Sequence, residues 1–101
     1  MKREDKKNKI DEAKNLFDKI FFDELEKFKD ELSKEIKSER KQKRLHQNDF
    51  SDINGIKGMA VSRIENKTNN PKIDTVLKLL VPLGKTLYIG NIKETASGKA
   101  E

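Results

Sequence analysis

Cysteine and tryptophan are absent from this 101-residue chain, histidine occurs once, proline twice and glycine five times. Without thiols there is no disulfide framework and no cysteine-based metal site, a composition that suits a reducing cytoplasm. His46 has no second histidine or cysteine with which to share a metal, and its place beside a helix cap marks it as a surface residue. Long apolar runs are missing too. Runs such as Ile20-Phe21-Phe22 and Leu79-Leu80-Val81 are as long as any, far short of the roughly 20 residues a membrane helix needs. The charged N-terminus lacks the apolar centre of a signal peptide. No glycine-rich phosphate loop occurs, and no helix face pairs carboxylates at ligand spacing; Asp49 and Asp52 fit better as solvated first-turn residues. No catalysis, cofactor or metal is therefore expected, and the protein should be soluble and cytoplasmic. With 33% hydrophobic residues, the core suffices for one small domain plus an extension.

Charge, by contrast, is plentiful: 41% of residues are charged and the formal net charge is +5. It is also uneven. Residues 1–35 hold 10 Lys/Arg against 11 Asp/Glu, whereas residues 36–101 hold 13 against 7. The whole positive excess lies on the C-terminal two thirds. A nucleic-acid backbone favours this placement, because each cation near a phosphate releases condensed counterions.

That basic segment contains the stretch around which the chain is organised, Leu45 to Leu83. Gln47 to Asn54 is a short helix candidate with Phe50 and Ile53 facing inward. Gly55 supplies the positive φ of a tight turn. A second helix follows, with apolar Val61 and Ile64 three apart and polar Ser62 and Arg63 between them, the pattern of one buried stripe and one outward stripe. Two short helices across a glycine turn make a helix-turn-helix. Beyond it, Asn66 to Pro71 is a loop of turn formers. Ile73, Val76, Leu77, Leu80 and Leu83 mark a further helix, with Pro82 in its last turn and Gly84 at its end. Lys85 to Gly90 alternates as a single strand; one strand needs a partner, which predicts pairing with its own copy in a homodimer.

Upstream, residues 1–9 are nearly all charged and should fray, and residues 93–101 form a flexible tail. Residues 10–35 are an amphipathic helical extension, its apolar stripe running from Ile10 through Ala13, Phe17, Phe21, Leu25, Phe28 and Leu32 to Ile36. No Pro or Gly interrupts residues 10–54. The spacing fits either one rod or two helices bent near Phe22-Asp23. Phe17, Phe21, Phe22 and Phe28, with Leu25, serve either as padding for the core or a dimer seam, or as a docking face for another protein. The polar face is as acidic as it is basic, which argues against a membrane surface.

Leu45-x-Gln47, Phe50, Gly55-Ile56, Val61-Ser-Arg-Ile-Glu-Asn66, Asn70-Pro71 and Asp74-Thr-Val-Leu-Lys-Leu-Leu80, followed by Leu83-Gly-Lys85-x-Leu87, resemble the lambda-repressor-like (XRE-type) helix-turn-helix family. The resemblance spans residues 36–92. It implies an all-α helix-turn-helix bundle, here carrying the N-terminal extension and the C-terminal strand. The Asp-Thr-Val-Leu-Lys helix running into Leu-Gly-Lys-Thr-Leu, behind an N-terminal extension, is more narrowly similar to HigA-type antitoxins.

In such proteins the helix after the glycine turn enters the DNA major groove, which implies DNA contacts from Lys57, Gly58, Met59, Ser62 and Arg63. Gln47 matches a phosphate-binding glutamine, Asn66 and Lys67 match a loop contact to the DNA backbone, and Arg40 with Glu65 matches a structural ion pair. The chain departs from the family's usual Gln, Ser or Thr at positions 58 and 59. Gly58 offers no side chain and Met59 only an apolar touch to a thymine methyl, so direct readout should fall on Lys57 and Arg63. HigA-type members bind a RelE/HigB-like ribonuclease toxin and, as homodimers, repress their own operon. The resemblance thus implies operator DNA and a toxin as partners, with Phe17, Phe21, Phe22, Leu25 and Phe28 as the toxin face. The rival expectation is a stand-alone XRE-type regulator of a phage or mobile element.

Overall fold

A computed structural model describes residues 3–93 as four α-helices and one 3-10 turn. Helix α1 spans Arg3–Gln42, α2 Asp49–Asn54, α3 Gly58–Glu65 and α4 Ile73–Leu80, and the 3-10 turn covers Val81–Leu83. The tail expected over 93–101 lies, from residue 94 on, outside the described residues.

Helix α1 is one unbroken rod of 40 residues. No helix breaker interrupts it, Glu4 and Asp5 sit in its first turn and Arg40 and Lys41 in its last, where the helix dipole favours them. Ion pairs about one turn apart line its outer face, among them Lys34–Asp30 at 3.0 Å and Lys27–Glu24 at 3.2 Å. The helix already begins at Arg3, so the fraying expected over residues 1–9 is not seen from that point on. The expected division between residues 35 and 36 falls inside α1.

The core gathers where α1 meets the short helices. Leu32 and Ile36 of α1, Phe50 of α2, Val61 and Ile64 of α3, and Val76, Leu79 and Leu80 of α4 pack together with Leu83. Phe50 is fully buried at the centre. Leu45, Ile56 and Leu87 close the rim. N-terminal to Leu32, α1 contributes no buried apolar side chain among the described residues, so its first half projects beyond the domain. Ile53, expected inward, is 46% exposed. Helix α2 has only six residues, and Phe50 occupies the inward side of so short an element. Asn54 next to it ties α2 to α4 by donating to the Lys78 carbonyl at 2.6 Å.

Three helix ends close in the same way. After α1, Leu45 N–H bonds the Arg40 carbonyl and Arg44 N–H the Lys41 carbonyl; after α3, Thr68 bonds Arg63 and Lys67 bonds Ile64; after the 3-10 turn, Lys85 bonds Leu80 and Gly84 bonds Val81. Each is a Schellman closure, which places its next-to-last residue in the left-handed region. Gly84 does so cheaply at φ 80°, whereas Arg44 at 58° and Lys67 at 59° carry the Cβ penalty.

The strand expected over Lys85–Gly90 does not form; no strand is present among the described residues. A single chain offers this segment no second strand. It is held instead by side chains: Lys85 pairs with Glu35 at 2.9 Å and Leu87 packs on the core, while Tyr88 and Ile89 stand in solvent.

Candidate nucleic-acid interface

The glycine turn sets the direction of α3. Gly55 adopts φ 84° and donates its N–H to the Ser51 carbonyl at 3.0 Å, ending α2. The Asn54 side-chain oxygen then accepts the Ile56 N–H at 3.3 Å. Lys57 is extended at φ −73°, ψ 148°, and its carbonyl receives the first amides of α3, from Ala60 and Val61. Its ammonium group is left at the leading end of the helix.

Along α3 two stripes separate at helical spacing. Gly58, Val61, Ile64 and Glu65 are buried. Met59, Arg63 and Asn66 are exposed and Ser62 is half-buried between them. Arg63 Nη2 donates to the Met59 sulfur at 3.3 Å, and Asn66 Nδ2 donates to the Ser62 hydroxyl at 3.2 Å, so the outward stripe is pre-arranged by its own side chains.

Gly58 belongs to the wrong stripe for the contact expected of it. It packs under Asn48, and a Cβ there would collide with the Asn48 side-chain oxygen. The missing side chain permits close approach of α3 to the start of α2. Gln47 is likewise engaged: its Nε2 donates to Glu65 Oε1 at 3.1 Å. Lys67 faces solvent beside Asn66 and reaches back to Asp30 of α1 at 3.0 Å. Hydrogen bonds from Lys34 and Lys67 hold the Asp30 carboxyl below its ordinary value.

Beneath the outward stripe lies a buried ion pair. Arg40 gives Nε and Nη2 to the two Glu65 oxygens at 2.7 and 2.9 Å, and its Nη1 to the Leu45 carbonyl at 2.9 Å. Burial pushes the Glu65 pKa up, but hydrogen bonds from Arg40 and Gln47 and the charges of Arg40 and Lys37 outweigh it, so the carboxyl sits below its ordinary value. The pair anchors the end of α3 to the end of α1.

The phenylalanines of the extension lie on α1. Phe17, Phe21, Phe22 and Phe28 are exposed and Leu25 is half-buried. Phe17 stacks on Phe21 with centroids 4.8 Å apart, and Phe21 meets Phe22 edge-on at 5.1 Å. They take no part in the core of the chain. No described helix is long and apolar enough to cross a membrane.

Four features were not anticipated from the sequence: the Gln47–Glu65 and Lys67–Asp30 contacts, the seating of Asn48 on Gly58, and the two cations in left-handed conformation. A glycine opening a helix, where a side chain would ordinarily stand, was the one available signal, and it pointed to close packing.

A glycine-hinged pair of short helices, with one face in the core and a cationic, polar stripe turned out, defines a helix-turn-helix domain. The chain belongs to the XRE-type helix-turn-helix family: residues 36–89 match that family, described as helix-turn-helix. It is 43% identical over 58 residues to an uncharacterized HTH-type transcriptional regulator of Haemophilus influenzae, a match covering 57% of this chain and 59% of that protein. The chain thus spans little more than half the length of this curated relative. No solved structure matches it.

Proposed function

We propose that this protein is a cytoplasmic, homodimeric DNA-binding regulator that reads its operator with the outward stripe of α3. We further propose that it is the antitoxin of a type II toxin–antitoxin pair, neutralising a RelE/HigB-like ribonuclease toxin and repressing its own operon. The observation that carries the first part is the two-sided build of α3: Val61 and Ile64 lock one side into the core, leaving Met59, Ser62, Arg63 and Asn66 on the other, with Lys57 leading. A helix so presented fits the major groove, with its first turn at the base edges. The regulator named among its relatives supports the same reading.

The antitoxin part rests on apolar surface that DNA binding does not need. The Phe17–Phe21–Phe22 cluster offers a toxin the kind of aromatic anchor that dominates protein interfaces. Tyr88 and Ile89 offer a second copy another surface. In a gel shift against the gene's own upstream DNA at two salt concentrations, the parent binds with a steep salt slope and Arg63→Ala binds more weakly. Co-expression with the neighbouring gene yields a co-purified complex and relief of growth arrest. DNA binding without either outcome leaves a stand-alone regulator, with the phenylalanines as a dimer seam.

A further inference from the structure

In the leading turn of α3, the place of the first side chain is taken by another residue. A Cβ on Gly58 would collide with the Asn48 side-chain oxygen and lie 3.3 Å from the Asn48 Cα. The carboxamide of Asn48 therefore occupies the space into which residue 58 would project. Gly58 is buried beneath it, whereas Asn48 itself is exposed.

The capping role that an asparagine at the start of a helix usually plays is not performed by Asn48. Its side chain makes no cap hydrogen bond to α2. The start of α2 is closed by Asp49, whose Oδ2 accepts the His46 N–H at 2.6 Å while the Asp49 N–H bonds the His46 carbonyl at 3.0 Å. Asn48, an exposed residue outside the core and free of capping, thus places its carboxamide against Gly58, the first residue of α3.

We infer that Asn48 is a specificity-determining residue that replaces the absent side chain of residue 58 in reading a base edge, and that the base is adenine. The inference rests on the DNA-reading role proposed above. An Asn carboxamide carries one donor and one acceptor at the spacing of adenine N6 and N7, and the major groove displays both atoms. Contact with Gly58 on one side restricts the rotation of the group, so little freedom remains to be lost on binding. The low information expected of Gly58 and Met59 is thereby offset from the neighbouring helix.

Selection of bound duplexes from a randomised pool tests this, using the full-length parent, Asn48→Ala and the near-isosteric Asn48→Asp, with circular dichroism to confirm folding. The parent should favour adenine at one position of each half-site by on the order of tenfold. Asn48→Ala should lose that preference alone while binding of unrelated duplex at low salt changes by less than about twofold. Asn48→Asp, which can only accept, should lose the adenine preference or exchange it for cytosine. A folded Asn48→Asp or Asn48→Ala chain that selects the parental base at every position overturns the inference alone. A parent that selects no sequence overturns both it and the reading beneath it.

Discussion

Arg40 grips Glu65 with two parallel hydrogen bonds, 2.7 and 2.9 Å long, and so couples the last turn of the long helix α1 to the last turn of α3. Both side chains are buried. Removing one member strands the other's charge. Arg40→Met should cost about 3–5 kcal/mol in denaturant unfolding, while Arg40→Met with Glu65→Met should recover most of the loss. An unchanged midpoint for the single variant would mean that the pair holds nothing.

The same carboxylate sets an acid limit. Its pKa in the folded chain lies below the ordinary 4.5, so the unfolded chain takes up the proton more readily. The stability contributed by ionised Glu65 is complete above that ordinary value and is lost as pH falls through the lower, folded one. The unfolding midpoint should therefore drop as pH falls below the ordinary 4.5, and more shallowly in Glu65→Gln. Equal slopes for both chains would assign the acid sensitivity to other carboxylates.

Backbone geometry allows a gain as well as a loss. Arg44 holds φ 58° and Gly55 φ 84°. Arg44→Gly relieves a left-handed penalty that exceeds the entropy glycine adds to the unfolded chain, for a net gain of up to about 1 kcal/mol; Gly55→Ala imposes the penalty and should cost about 1 kcal/mol. Thermal melts of the two variants should move in opposite directions.

On DNA, Arg63 of α3 and Lys67 just beyond its end should separate by kind. Arg63→Ala should weaken operator binding by about 1–3 kcal/mol and blur one position of the selected sequence, as loss of a base contact does. Lys67→Ala should weaken all duplexes alike and lower the salt slope by about one. If Lys67→Ala leaves the slope unchanged, its engagement with Asp30 persists on DNA.

Replacing Phe17 and Phe22 together with serine should leave folding within about 0.5 kcal/mol of the parent, since both are exposed, at 57% and 72%. On the antitoxin proposal, capture of the co-expressed neighbouring gene product should fail. Retained capture would move the toxin to another face.

The glycine turn, the inward pair Val61 and Ile64, and the Pro82 and Gly84 ending of the last helical segment were legible because each depends on local rules: one φ value, one period, one missing N–H. Where the outcome depended on neighbours, residues alone misled. Gly58 suggested a contact that was missing and proved to be a packing device, because Asn48 lies across it. Ile53 matched the helical period, but α2 is too short for a second inward residue. Lys85 to Gly90 alternates as strands do, yet a ladder requires another chain, and Lys85 found Glu35 instead. Gln47, given a phosphate role by resemblance, also donates one amide N–H to Glu65, a contact its neighbours in sequence do not reveal. The absence of a helix breaker lets α1 run on through residues 35 and 36.

That absence has a mechanical meaning. Roughly 27 Å of uninterrupted helix, at about 1.5 Å per residue, separates Phe22 from Arg40 within α1. No hinge along that length can absorb a twist, so torque applied at the aromatic end arrives at the guanidinium clamp. Cargo gripped by the phenylalanines would ride at a set bearing from the duplex, as on a spacer bar rather than a tether.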